Sequence, residues 1–125
     1  MSADPASVTI MVIEDDAGIA DAIASMLEDH GYGVVVAANG QDGIDKLRAA
    51  EPRPDLILLD LMMPVMDGWE FRAAQRKDPR LADVPVVLLS ADVDVGPAAD
   101  ELAAVSWLKK PVDLGALLHA VQREP

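Results

Sequence analysis

Residues 54–64 read Pro-Asp-Leu-Ile-Leu-Leu-Asp-Leu-Met-Met-Pro, and the aliphatic run Leu56–Leu59 at their centre constrains the fold more than any other stretch. A run this short, bounded by breakers, is too brief for a helix. It reads as a strand buried on both faces, the pattern of a parallel sheet. Asp60 stands where the run ends, and Pro64 stops regular structure soon after. In open parallel α/β sheets, ligands collect just beyond the carboxyl ends of the strands. Asp60 is therefore a candidate functional residue, although an acid that only caps a turn explains this stretch alone equally well.

The rest of the chain repeats the pattern. Apolar, β-branched segments at 8–13, 33–38, 84–89 and 106–109 predict four more strands around 56–59. Between them, apolar residues at helical spacing predict helices over 17–30, 41–50, 67–77 and 113–122. Asp16 or its successor and Asp113 are placed to cap helix starts, and Gly31 to end the first helix. Residues 92–105 are the least regular. Gly96-Pro97 falls where a helix would begin, so a loop and a short or mobile fourth helix over 98–104 are expected. Five strands alternating with five helices predict successive right-handed βαβ units, an α/β parallel sheet covered on both sides.

Composition narrows the function classes. The 125 residues suit a single domain, 1–125, with an ordered core of about 8–122. Aromatics are only 3% of the chain, so Val, Leu, Ile, Ala and Met must fill the core. With no cysteine there is no disulfide framework or thiolate metal site. The first residues lack the charge and apolar segment of a secretion signal, and no apolar run approaches the roughly 18 residues that span a bilayer. A net charge of −12 argues against nucleic acid or an anionic membrane as a direct partner. A cytoplasmic location is the expectation.

Aligning the strand ends gathers Glu14 and Asp15 after the first strand, Asp60 after the third, Ser90 after the fourth and Lys110 after the fifth. Helix-starting acids and a surface lysine explain each residue separately, but not their common edge. Several carboxylates together repel unless a cation compensates them. Oxygen-only ligands favour a hard divalent ion, Mg²⁺ before others, with water and phosphate oxygens completing its shell. Lysine and a serine hydroxyl supply phosphate contacts, and aspartate is a nucleophile toward phosphoryl groups.

The segments VIEDD, AANG, DLILLDLMMPVMDG, VPVVLLSA and WLKKP occur in this order from about Val8 to Gln122. In this the chain resembles the receiver domain of two-component response regulators, the single-domain chemotaxis type in particular. The resemblance implies a flavodoxin-like sheet of order 2-1-3-4-5. It implies that Asp60 accepts a phosphoryl group from a histidine kinase or phosphotransfer protein. Glu14 and Asp15 would form the acidic pocket, with Asp15, Asp60 and the backbone carbonyl of Met62 on Mg²⁺ or Mn²⁺. Ser90 would be the switch hydroxyl, Lys110 the phosphate-pairing lysine, and the bond to Pro111 cis. Trp107 falls at the position of a rotating aromatic, its plainer role being to fill the core.

Such a domain catalyses only its own phosphorylation and dephosphorylation. Its surface around the fourth helix, fifth strand and fifth helix would change for a downstream protein target or for an effector domain outside this chain. It would be a monomer or a phosphorylation-dependent dimer. Two features depart from the pattern: the span from Ser90 to Trp107 is short, and Val112 replaces a commoner phenylalanine. Met62 and Asp92 would flank the path of a hydrolytic water. One alternative is an Mg²⁺-dependent phosphatase with an aspartyl-phosphate intermediate, although Met62 stands where such enzymes carry a second aspartate. Another is a receiver-like module that works unphosphorylated. His30 and His119 read as surface residues, and the methionines, Met62, Met63 and Met66 included, as packing.

Overall fold

A computed structural model describes residues 8–91 and 96–123. The strands are β1 (Thr9–Ile13), β2 (Gly33–Ala37), β3 (Leu56–Asp60), β4 (Val86–Ser90) and β5 (Ser106–Lys109). The helices between and after them are α1 (Ala17–Asp29), α2 (Gly40–Ala49), α3 (Gly68–Lys77), α4 (Gly96–Glu101) and α5 (Leu114–Arg123). All neighbours pair in parallel, in the order β2-β1-β3-β4-β5. This is the flavodoxin-like arrangement, with its switch point between β1 and β3.

Strand alternation divides the core. Met11, Ile13, Ile57, Leu59, Val86 and Leu88 face one side, beneath Ile44 and Leu47 of α2 and Phe71 of α3. Ile10, Val12, Leu56, Leu58, Val87 and Leu89 face the other, beneath Ile23 and Leu27 of α1 and Leu117 and Val121 of α5. Leu56–Leu59 is thus continuous in sequence because helices cover both faces of β3. Each such buried Leu or Ile contributes about 2 kcal/mol.

Side-chain caps fix where the helices start. Asp16 Oδ1 accepts from the Ile19 amide at 3.1 Å, and Asn39 Oδ1 from the Asp42 amide at 2.8 Å. Asp67 and Glu70 form a reciprocal capping box on α3. Asp113 Oδ2 accepts from the Ala116 amide at 2.9 Å on α5. Gly31, at φ 92°, turns the chain out of α1. At the open edge of the sheet, the Lys46 ammonium donates to the Val36 carbonyl at 2.6 Å, blunting β2 against further pairing.

Three sequence expectations are corrected. The fourth helix is short, but runs over Gly96–Glu101 instead of 98–104. It ends early because Ala103 enters the left-handed region at φ 54°, and the Ala104 amide folds back onto the Ala99 carbonyl at 2.9 Å. Trp107 does not fill the core: it is 48% exposed, because β5 is an edge strand on which Leu108 is the buried residue. Met62 is not packing either, being 72% exposed, whereas Met63 is buried. The fourth strand starts at Val86, with Pro85 before it contributing its carbonyl to the Ile57 amide at 2.9 Å. His30 and His119 lie on the surface. Asp92 is outside the described residues.

Candidate functional site

The site is assembled by strand termination. Asp60 is the last residue of β3 and Ser90 the last of β4, while Glu14 directly follows β1 and Lys110 directly follows β5. Glu14 extends the β1 ladder, its amide donating to the Ala37 carbonyl at 3.1 Å. The Lys110 amide likewise donates to the Ser90 carbonyl at 2.8 Å. Backbone pairing therefore carries these side chains to one edge, where the chain leaves the sheet. Glu14, Asp60 and Ser90 are buried, whereas Asp15 faces solvent.

Carboxylate oxygens of Glu14, Asp15 and Asp60 all lie within 4.8 Å of one another. Lys110 Nζ is 3.3 Å from Asp60 Oδ1 and forms an ion pair with Glu14 Oε1. The Met62 amide points at Asp60 Oδ1 from 3.4 Å, and the Asp16 amide at Glu14 Oε2 from the same distance. Lys109, by contrast, is exposed. The Lys110–Pro111 peptide bond is cis.

Three acids against one ammonium leave the cluster short of positive charge. Burial, followed by its contact with the Asp60 carboxyl, pushes the Glu14 carboxyl up to about 7, outweighing the Lys110 contact. For Lys110, burial disfavours the charged form. Its bond to Glu14 and the attraction of both carboxylates prevail and hold its pKa above the usual range. Glu14 Oε1 is buried against the Lys110 ammonium. Three clustered carboxylates, offset by one ammonium, make an all-oxygen donor set of excess negative charge that fits a hard divalent cation.

An apolar cavity of about 450 Å³ adjoins the site. Ile19, Ile23 and Met26 of α1 line one wall; Ala91, Pro111 and Val112 line the other, with Lys110 at its margin. Val112 lines this hollow, in keeping with its small size beside the lysine loop. The sequence reading brought Glu14, Asp15, Asp60, Ser90 and Lys110 to one edge, and the fold does so. It did not bring Trp107 there: that ring pairs across from Leu88, on the outer strand. The reading missed the α1 wall of the cavity. Its signal in the sequence was the apolar stripe that includes Ile19 and Met26, both partly buried against the core.

A buried carboxylate, paired with an ammonium and flanked by two more acids at the switch point of a 2-1-3-4-5 sheet, defines a flavodoxin-like domain of the phosphoacceptor class. Residues 10–122 match the response regulator receiver domain, and the chain belongs to that family of phosphorylatable signalling switches in two-component systems. It is 37% identical over 118 residues to the DNA-binding dual master transcriptional regulator RpaA of Synechocystis, covering 90% of this chain and 47% of that protein. It is 30% identical over 114 residues to Protein PilH of Pseudomonas aeruginosa, covering 90% of this chain and 93% of PilH. The chain spans about half the length of RpaA and of the similar Streptomyces coelicolor regulator AfsQ1. Among solved structures, chemotaxis protein CheY4 of Vibrio cholerae superposes with a TM-score of 0.86 at 30% identity, over 94% of this chain and 98% of that one.

Proposed function

We propose that Asp60 is the phosphoacceptor of this receiver domain, taking its phosphoryl group from a phosphohistidine on a kinase or phosphotransfer protein. The observation that carries this reading is the pairing of Asp60 with Lys110 at 3.3 Å beside two further carboxylates. An Asp60 oxygen attacks phosphorus, forming the O–P bond as the N–P bond of the donor breaks. The imidazole keeps the bonding pair and takes a proton from solvent. Little covalent chemistry is asked of the protein, so positioning and charge neutralisation do the catalysis.

Glu14 and Asp15, with Asp60 and the Met62 backbone carbonyl, would hold Mg²⁺ or Mn²⁺. When bound, the ion neutralises charge developing on the phosphoryl oxygens. The Lys110 ammonium pairs with one such oxygen, and the Ser90 hydroxyl donates to another. Trp107, half-exposed on the edge strand, would turn inward as Ser90 is drawn toward the phosphoryl group. The surface of α4, β5 and α5 then changes for its partner, a downstream protein or an effector domain. The protein acts in the cytoplasm, as a monomer or a phosphorylation-dependent dimer. It catalyses only its own phosphorylation and dephosphorylation. A phosphatase reading lacks the second aspartate that such enzymes carry two residues beyond the nucleophile, where the exposed thioether of Met62 stands here.

Incubation with acetyl phosphate and Mg²⁺, followed by intact mass, tests the proposal. Wild type should gain the mass of one phosphoryl group and Asp60→Asn none. Equal labelling of the two would move the acceptor elsewhere.

A further inference from the structure

The segment between Asp60 and α3 is held from a distance. Gly68 closes it at one end, donating to the Leu61 carbonyl at 2.9 Å. Val65 within it takes the left-handed conformation at φ 69°, which a β-branched residue adopts only when its surroundings impose it. A local bond closes the turn around it, the Met66 amide donating to the Pro64 carbonyl at 2.8 Å, and α2 holds the far side of that turn. Gly40 is the first residue of that helix, where backbone N–H groups have no partner inside the helix. Its amide donates instead to the Met66 carbonyl at 3.1 Å.

This approach is possible only without a side chain. A Cβ on Gly40 would lie 2.6 Å from the Met66 carbonyl oxygen, 2.6 Å from its Cγ and 2.9 Å from its Cβ. Backbone must yield. The same segment aims the Met62 amide at Asp60 Oδ1.

We infer that Gly40 is a positioning residue for the Asp60 site, holding the 61–66 segment so that Met62 stays against the acceptor carboxylate. The inference rests on Asp60 being the phosphoacceptor. Gly43 supplies an internal control one helical turn away. A Cβ there would meet only side chains, Ile13 Cδ1 at 2.7 Å and Phe71 Cε2 at 3.1 Å. Both substitutions replace glycine by a better helix former and both crowd a neighbour, so a merely structural role predicts similar behaviour.

The experiment compares wild type, Gly40→Ala and Gly43→Ala by melting, by Mg²⁺ titration and by labelling with acetyl phosphate. Gly40→Ala should lose about tenfold in labelling rate and in Mg²⁺ affinity, the scale of a sub-ångström misplacement, and should show faster amide exchange at Met62 without Mg²⁺. Gly43→Ala should keep both within about twofold, whatever its melting temperature. Equal labelling and affinity in the two variants would overturn the inference. Failure of wild type itself to label would instead overturn the reading of Asp60. Should Gly40→Ala not fold, the wild-type chain still decides: the Gly40 amide should exchange more slowly when Mg²⁺ and beryllofluoride are bound, and an unchanged rate refutes the coupling.

Discussion

Lys110 Nζ pairs at once with Asp60 Oδ1, at 3.3 Å, and with Glu14 Oε1, so a single ammonium offsets two buried carboxylates contributed by separate strands. Removing it leaves both acids unpaired. Lys110→Ala should lower stability by about 3 kcal/mol, the low end for breaking a buried pair. It should also slow acetyl phosphate labelling by about a hundredfold, the loss typical of one oriented charge. Lys109→Ala, on the exposed neighbour, should change neither; denaturant melts and intact-mass time courses check both variants.

The three clustered acids predict the response to a divalent ion. Mg²⁺ at about a hundred times its Kd should stabilise the wild-type domain by about 2.7 kcal/mol. Asp15→Asn should remove most of that gain. Glu14→Gln should raise stability in the absence of Mg²⁺, because it deletes a buried charge, while reducing the increment that Mg²⁺ adds. Melting with EDTA and with Mg²⁺ separates these effects.

At the opposite end of α3, the acid limb of stability should depend on Asp78. The hydrogen bond from the Arg80 side chain, then that from the Arg80 amide, hold its carboxyl down at about 2. Because the folded state binds this proton more weakly than the unfolded chain, the stabilisation is full above the ordinary value of 3.8. It is lost as pH falls toward about 2. Asp78→Asn should flatten the stability profile across that window, lowering stability near neutrality and changing it little at about pH 2, as measured by urea melts at each pH.

Arg72 and Gln75 make a buried polar link between α3 and the end of α4. Arg72 Nε donates to the Leu102 carbonyl at 2.7 Å and Nη2 to the Ala103 carbonyl at 3.2 Å, while Nη1 donates to Gln75 Oε1 at 2.7 Å. No carboxylate pairs with this guanidinium among the described residues. Burial, then Arg76, holds its pKa below the usual range. With α4 only six residues long, these bonds do much of its anchoring. Arg72→Met should cost about 2 kcal/mol. Amide exchange should speed up over 98–104 in particular, with acetyl phosphate labelling unchanged.

Val65 carries removable strain. It is 79% exposed, so its left-handed backbone is not offset by burial of the side chain. Val65→Gly, which removes the Cβ from this tight turn, should stabilise by about 1 kcal/mol in thermal melts.

Local chemistry made the strands and helix starts legible. Leu56–Leu59 cannot be satisfied except between two helical layers, and Asp16, Asp67 and Asp113 announce helix starts because their short acids serve orphan amides. Since parallel crossovers all run one way, each residue after a strand falls at the same edge, so Glu14, Asp60, Ser90 and Lys110 were gathered by sequence order alone.

What only the tertiary structure decided depends on which surfaces meet. Trp107 is half-exposed because β5 lies at the sheet edge, a property of strand order that the residues around it do not encode. The contact of Gly40 with Met66, the polar link of Arg72 to the end of α4, and the cis bond between Glu51 and Pro52 are likewise silent in local pattern. Periodicity reports what each segment must bury. Which distant backbone carbonyl waits for an orphan N–H is settled only when the layers pack.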